Sequence, residues 1–154
     1  MTRPHLSSQG RGAQHNLSAT LNGKGADGSR APTRVLVVEN HPGVARGLKT
    51  FLSLRQCRVE VASDVRAALT LAAEIEFDVL VCDLNLPDGT GWDLMAKLGK
   101  RARLRGIAYS ALDQPQDVLR SQEAGFAEHL VKGCDPDELV AAIKRVFEKR
   151  RLGE

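Results

Sequence analysis

Short β-rich runs alternate strictly with runs of helical periodicity from Arg34 onward, and this order constrains the fold more than any other feature. The predicted strands cover residues 34–39, 57–62, 77–82, 104–110 and 128–132. After each strand, apolar residues recur at the three- and four-residue spacing of an amphipathic helix. Such alternation predicts a parallel sheet with helices on both faces. The fold class is therefore α/β, with five strands and five helices in three layers.

Helix-start signals support the same order of elements. The last helix has the fullest signal, because Asp135 can cap it, Pro136 suits its first turn and Glu138 is a capping-box acid. We assign the starts of three earlier helices to Ser63, Thr90 and Asp113, and the end of the fourth helix to Gly125.

The N-terminal segment differs in composition from the rest of the 154 residues. Residues 1–34 carry five basic residues against one acidic residue and show no apolar periodicity. We interpret residues 1–33 as a disordered tail, which is more consistent with a solvated leader than with a nucleic-acid-binding segment. The folded domain is expected at 34–150, followed by a short C-terminal tail at 151–154 and no output domain.

Several classes of protein are disfavoured by the sequence. It contains no apolar run of membrane-spanning length and no signal peptide, and its three cysteines suggest neither a disulfide framework nor a zinc site. We therefore expect a cytoplasmic protein. A basic run at 97–106 is interpreted as a helix C-terminus and its connection, with a docking surface for an acidic partner as the alternative.

Polar residues stand where the predicted strands end. Glu39 and Asn40 follow the first strand and Asp83 the third, while Ser110 ends the fourth and Lys132 the fifth. In open parallel sheets, ligands bind outside the carboxyl ends of the strands. If the first and third strands are neighbours, oxygen atoms of Glu39, Asn40 and Asp83 converge there. Such ligands suit Mg²⁺.

Four motifs resemble those of a response-regulator receiver domain, the phospho-acceptor module of two-component signalling. They are VLVVENHP at 35–42, VCDLNLPDGTGWDLM at 81–95, YSA at 109–111 and HLVKG at 129–133. The resemblance covers roughly residues 34–150. The chain is most similar in type to single-domain, chemotaxis-type regulators. The resemblance implies a flavodoxin-like, doubly wound sheet with strand order 2-1-3-4-5.

The resemblance also implies a role for each matching residue. Asp83 would accept the phosphoryl group, Lys132 would pair with the phosphate, and Ser110 would be the switch hydroxyl. Mg²⁺, or Mn²⁺ in its place, would be bound weakly by Glu39, Asn40, Asp83 and the backbone carbonyl of Asn85.

Three positions depart from the family pattern. Asn40 stands where the second acid of the pair is usually aspartate, and Gly133 follows the lysine in place of proline, so the following loop is expected to differ in shape. His129 takes the position of the aromatic switch residue. It is either a switch or simply a histidine exposed on a strand.

Three functions remain to be compared. The first is a single-domain response regulator whose partners are a histidine kinase or phosphotransfer protein and a downstream protein. It could also form a homodimer, and it is not expected to bind a membrane or nucleic acid. The second is a pseudo-receiver that binds proteins without phosphorylation, as Asn40 and Gly133 suggest. The third, a haloacid-dehalogenase-type phosphatase, is disfavoured because Asn85 stands where that family needs a second aspartate.

Overall fold

The protein, seen in a computed structural model, is described over residues 31–101 and 103–153. Its helices and strands lie in one compact unit, Thr33–Glu154. The predicted tail falls almost wholly outside the described residues. The strands are β1 (Thr33–Val38), β2 (Cys57–Ala62), β3 (Val79–Cys82), β4 (Asn85–Leu86), β5 (Gly89–Thr90), β6 (Arg105–Ser110) and β7 (Glu128–Val131). The helices are α1 (Pro42–Ser53), α2 (Val65–Glu74), α3 (Gly91–Arg101), α4 (Pro115–Ala124) and α5 (Pro136–Leu152).

The main sheet has the predicted topology. Five parallel strands are arranged in the order β2-β1-β3-β6-β7, which corresponds to the predicted order 2-1-3-4-5 of the five main strands. The sheet is doubly wound, so the fold class is confirmed. A small antiparallel hairpin, β4–β5, follows β3 and was not predicted from the sequence.

Two apolar cores cover the two faces of this sheet. Alternate residues of the central strands point to opposite faces, so Val35 and Val37 pack with α1 and α5, whereas Leu36 and Val38 pack with α2 and α3. All four residues of β3 are buried. The central strand is therefore held rigidly from both sides, and its carboxyl end is fixed in position. No helix among the described residues is both long and apolar enough to cross a bilayer.

The helix ends follow the predicted chemistry with two corrections. Asp135 caps α5 and Thr90 accepts a hydrogen bond from the Asp93 amide in the first turn of α3. Helix α2, however, is capped by Asp64 rather than Ser63, because the Asp64 carboxylate reaches the Ala67 amide at 2.7 Å. The cap of α4 is Gln114 rather than Asp113. The basic run spans the end of α3 and the start of β6, as expected.

Candidate functional site

The register of β1 and β3 places two acidic residues side by side. Val38 lies opposite Cys82 in the parallel ladder, so the next residues, Glu39 and Asp83, leave the sheet together. The Asp83 amide donates to the Val38 carbonyl at 2.9 Å, which continues the pairing by one residue. Both acids are nearly buried, at 3% exposure for Glu39 and 8% for Asp83.

Lys132 follows β7 and bridges these two carboxylates. Its Nζ lies 2.7 Å from Glu39 Oε2 and 2.9 Å from Asp83 Oδ2. Burial lowers the pKa of Lys132, but hydrogen bonds to Glu39 and Asp83 outweigh burial and raise that pKa above its ordinary value. The structure therefore brings together three of the predicted site residues, in an ion-pair cluster that neutralises one of two buried negative charges.

Gly133 gives the loop after Lys132 a backbone conformation that proline cannot adopt. The Lys132–Gly133 bond is trans, and Gly133 has a φ of 101°, in the left-handed region where glycine is unstrained. A turn closes as the Cys134 amide donates to the Val131 carbonyl, and the Lys132 amide donates to the Ser110 carbonyl at 2.9 Å. These bonds anchor the backbone of Lys132 beside the end of β6.

The other oxygens of the two acids accept backbone hydrogen bonds. Asp83 Oδ1 accepts from the Leu84 amide at 2.7 Å and from the Asn85 amide at 3.4 Å, and Glu39 Oε1 accepts from the His41 amide. The carboxylates are thus fixed at both oxygens. Burial, followed by the charges of Asp83 and Glu39, raises the pKa of the Cys82 thiol far above its usual range.

Two further residues shape the loop after Asp83, and the sequence interpretation did not assign them. Gly91 packs so closely on the backbone that a Cβ there would overlap the Asp83 carbonyl oxygen. Asp88 accepts from the Val65 and Arg66 amides at 2.8 and 3.0 Å, so it ties the loop to the start of α2. These hydrogen bonds, from Val65 first, lower the pKa of Asp88. No local pattern marks the contact between Asp88 and Val65, which are 23 residues apart.

Three predicted residues do not join the ion-pair cluster directly. Asn40 is exposed, and within the described chain its side chain has no hydrogen-bond partner. Asn85 is also exposed and contributes its amide to Asp83. Ser110 is buried at the end of β6, where its Oγ accepts from the Leu112 amide at 3.3 Å.

His129 is half-buried and bonded at both ring nitrogens. Nδ1 lies 2.9 Å from Ser121 Oγ, and Nε2 lies 2.7 Å from the Leu112 carbonyl oxygen. The indole Nε1 of Trp92 also donates to Ser121 Oγ at 2.9 Å. Of the two interpretations of His129, the exposed histidine is therefore wrong, because the ring is bonded inward. Neither Ser121 nor Trp92 was assigned a role from the sequence.

The donor set fits a hard divalent cation. Glu39 and Asp83 both direct an oxygen at one position, where the structure places the ammonium of Lys132. A divalent cation that replaced the ammonium there would meet two convergent carboxylates. The described residues contain no group of three acidic, histidine or cysteine side chains that could hold a metal. A bound metal would consequently depend on neutral oxygens, from Asn40 and the Asn85 carbonyl, for its remaining protein ligands.

Comparison with known proteins identifies the family of the chain. Residues 35–144 match the model of the response regulator receiver domain. The chain belongs to the response regulator receiver domain family. Receiver domains are signalling modules rather than conventional enzymes, they work with histidine kinases and downstream effectors, and they generally bind Mg²⁺ at the phosphorylation site.

Sequence and structural relatives agree with this assignment. The transcriptional regulatory protein KdpE of Mycobacterium tuberculosis is 33% identical over 117 residues, which cover 76% of this chain and 52% of KdpE. The nitrate/nitrite response regulator protein NarP of Escherichia coli is 32% identical, covering 77% of this chain and 60% of NarP. This chain thus spans about half the length of these relatives.

Two solved structures illustrate the fold. The non-phosphorylated HemR receiver domain of Leptospira biflexa is 34% identical, with a TM-score of 0.69, and the match covers 75% of this chain and 94% of that receiver-domain chain. A CheY-like receiver domain protein of Methanospirillum hungatei has a TM-score of 0.75 at 22% identity, covering 80% of this chain and 99% of the other. The second likeness concerns the fold alone.

Proposed function

We propose that this receiver domain accepts a phosphoryl group on Asp83 from a histidine kinase or phosphotransfer protein. The observation that carries the proposal is the position of Asp83, at the carboxyl end of the central strand with one oxygen bonded to Lys132. A buried carboxylate is costly unless it is paired, and here the pairing is with a cation that can transfer to a phosphate. That pairing places a positive charge 2.9 Å from the carboxylate oxygen that would otherwise be buried alone.

Transfer requires Asp83 to act as a nucleophile. A carboxylate oxygen attacks the phosphorus of the donor phosphohistidine, the P–N bond breaks, and the imidazole nitrogen keeps the electron pair. Lys132 then exchanges its bond to Asp83 for one to a phosphoryl oxygen. Mg²⁺, when bound by Glu39, Asp83, Asn40 and the carbonyl of Asn85, would neutralise charge on the phosphoryl oxygens. Mn²⁺ could replace it with the same ligands.

Ser110 is the switch hydroxyl in this proposal. It already lies within the backbone hydrogen-bond network of Lys132, so turning its Oγ from the Leu112 amide toward a phosphoryl oxygen would reposition the segment after β6. The output is a phosphorylation-dependent protein contact or an onward phosphorelay, in the cytoplasm. We propose that the receiver domain occupies residues 34–150 and follows a tail at 1–33. The domain is proposed to form a homodimer as well, and not to bind a membrane or nucleic acid directly.

A pseudo-receiver is the alternative function, and the site itself contains the observation that favours it. Glu39 and Asp83 already share the Lys132 ammonium, and Asn40 adds no charge, so one of the two negative charges is offset without a metal. Such a domain would bind its partner in this resting form.

Acetyl phosphate with Mg²⁺ distinguishes the two functions. Intact-mass analysis should find one added phosphoryl group, removed by hydroxylamine as an acyl phosphate would be. Asp83→Asn should abolish the addition. Asp93→Asn, which changes an exposed aspartate in the first turn of α3, is the matched control and should retain it. No addition from acetyl phosphate, a histidine kinase or a phosphotransfer protein would favour the pseudo-receiver.

A further inference from the structure

A chain of buried hydrogen bonds joins the segment after Ser110 to the helix that follows the Asp83 loop. It consists of the Leu112 carbonyl, His129, Ser121 and Trp92, and we call it the Ser121 relay. Ser121 is fully buried and Trp92 is 8% exposed. A buried polar chain with every link made is a specific arrangement, because any broken link leaves an unsatisfied group inside the protein.

The chemistry of the partners sets the direction of each bond. The Leu112 carbonyl can only accept, so His129 Nε2 carries a hydrogen and donates to it. The Trp92 indole can only donate, so Ser121 Oγ accepts from it. The Ser121 hydroxyl hydrogen is then free to point at His129 Nδ1, 2.9 Å away. With the hydrogen of a neutral His129 ring on Nε2, the hydrogen bonds run in a single direction, from Trp92 through Ser121 and His129 to Leu112.

Both ends of the relay reach the phosphorylation site. At one end, the Leu112 amide donates to Ser110 Oγ. At the other, Trp92 follows Gly91, whose amide donates to the Leu84 carbonyl at 3.0 Å and whose Cα lies against the Asp83 backbone. The relay thus connects Ser110 with the loop after Asp83 through residues of α4 and β7.

We propose that Ser121 and Trp92 are positioning residues that couple the state of Ser110 to helices α3 and α4. This inference rests on the proposed function of Asp83 and Ser110. His129 does not swing freely here, since both ring nitrogens are bonded; it moves with Leu112 and takes Ser121 along. When Ser110 turns toward a phosphoryl group it releases the Leu112 amide, and the shift passes along the relay to Trp92.

The surface end of the relay is a cation–π pair. The Arg120 guanidinium lies 3.9 Å from the centre of the Trp92 ring, and Arg120 is exposed on α4, next to Ser121. A displacement of the indole would therefore move a charged side chain at the surface. A partner protein that binds the surface of α3 and α4 would therefore contact a charged group, Arg120, whose position depends on the state of Ser110.

The first test needs no phosphorylation. Trp92 is the sole tryptophan of the chain, so deuterium exchange of its indole N–H can be followed as one signal by nuclear magnetic resonance. Ser121→Ala should speed this exchange about tenfold or more, because the donor loses its acceptor. His129→Phe keeps an aromatic ring but cannot bond Ser121, and it should also speed the exchange. Ser53→Ala, at an exposed position on α1, should not. Exchange at the wild-type rate in His129→Phe would overturn the relay.

The second test follows Trp92 fluorescence during phosphorylation by acetyl phosphate. Wild type should change its emission as the phosphoryl group is added, whereas Ser121→Ala and His129→Phe should reach the same intact mass with little or no change in emission. An emission change of wild-type size in both variants would contradict the coupling. If no variant, wild type included, gains the phosphoryl group, the proposed function fails, and the exchange experiment alone decides whether the relay exists.

Discussion

Replacing Lys132 with methionine tests the ion-pair cluster at the centre of the site. The substitution keeps an unbranched apolar stem and removes the ammonium that bridges Glu39 and Asp83. Two carboxylates, with side chains 2% and 10% exposed, would then lie together without the bridging cation. Losing one member of a buried pair costs about 3–5 kcal/mol, and the partial exposure of Lys132 reduces this to roughly 2–4 kcal/mol.

Urea denaturation followed by circular dichroism measures this loss. In EDTA at pH 7, the midpoint for Lys132→Met should fall by roughly 1–2 M urea for a domain of this size. Added Mg²⁺ should restore part of the loss, because the cation binds the folded site and no longer competes with an ammonium there. The half-saturating Mg²⁺ concentration should accordingly be lower in the variant than in wild type.

The pH dependence has a defined sign. The pKa of Lys132 is raised in the folded protein, so its stabilising contribution is complete below the ordinary lysine value of 10.5 and is lost as the pH rises through the higher folded value. The difference between wild type and Lys132→Met should therefore stay constant from pH 7 to about 10 and shrink above it. Lys49→Met removes an exposed lysine from α1 and should shift stability by no more than about 0.5 kcal/mol. Equal stability of the two variants would refute the ion-pair cluster.

Three further substitutions test separate parts of the site. Asn40→Asp should tighten Mg²⁺ binding about tenfold by calorimetry while lowering the metal-free melting temperature, because it adds a third negative charge; unchanged affinity would mean that Asn40 is not a metal ligand. Gly91→Ala should destabilise by about 1–3 kcal/mol through overlap with the backbone beneath it, whereas Gly47→Ala, with open space around it, should not. Asp88→Asn should lower the melting temperature at neutral pH. That difference should vanish in acid, as the pH falls below 3.8 and through the lowered pKa of Asp88; a pH-independent difference would exclude a role for its charge.

Strand ends were the part of the site that the sequence could predict. A parallel sheet brings the carboxyl ends of its strands to one edge, so the positions of Glu39, Asp83 and Lys132 at strand ends were enough to predict that they line the same edge. The alternation of strands and helices predicted the parallel sheet, whereas the strand order followed from the resemblance to receiver domains. Local sequence patterns sufficed to predict the fold class because the fold repeats one unit, a strand followed by a helix.

Contacts that depend on exact side-chain geometry could not be predicted. The ion pair between Lys132 and Glu39 joins residues 93 positions apart, and nothing local marks Ser121 as the acceptor for Trp92. The hairpin β4–β5 has only two residues in each strand, too few for a periodic signal. Asp64 and Ser63 were both competent caps for α2, and the choice depended on which side chain reached the Ala67 amide.

The identity of the phosphorylated residue is the most direct test of the proposed function. After treatment with acetyl phosphate and Mg²⁺, borohydride reduction converts a phosphorylated aspartate into homoserine, and peptide mass spectrometry locates the change. We expect homoserine at position 83 in wild type, with none formed when Mg²⁺ is removed by EDTA. Homoserine at any other aspartate, or its formation in Asp83→Asn, would contradict the assignment of Asp83 as the phospho-acceptor.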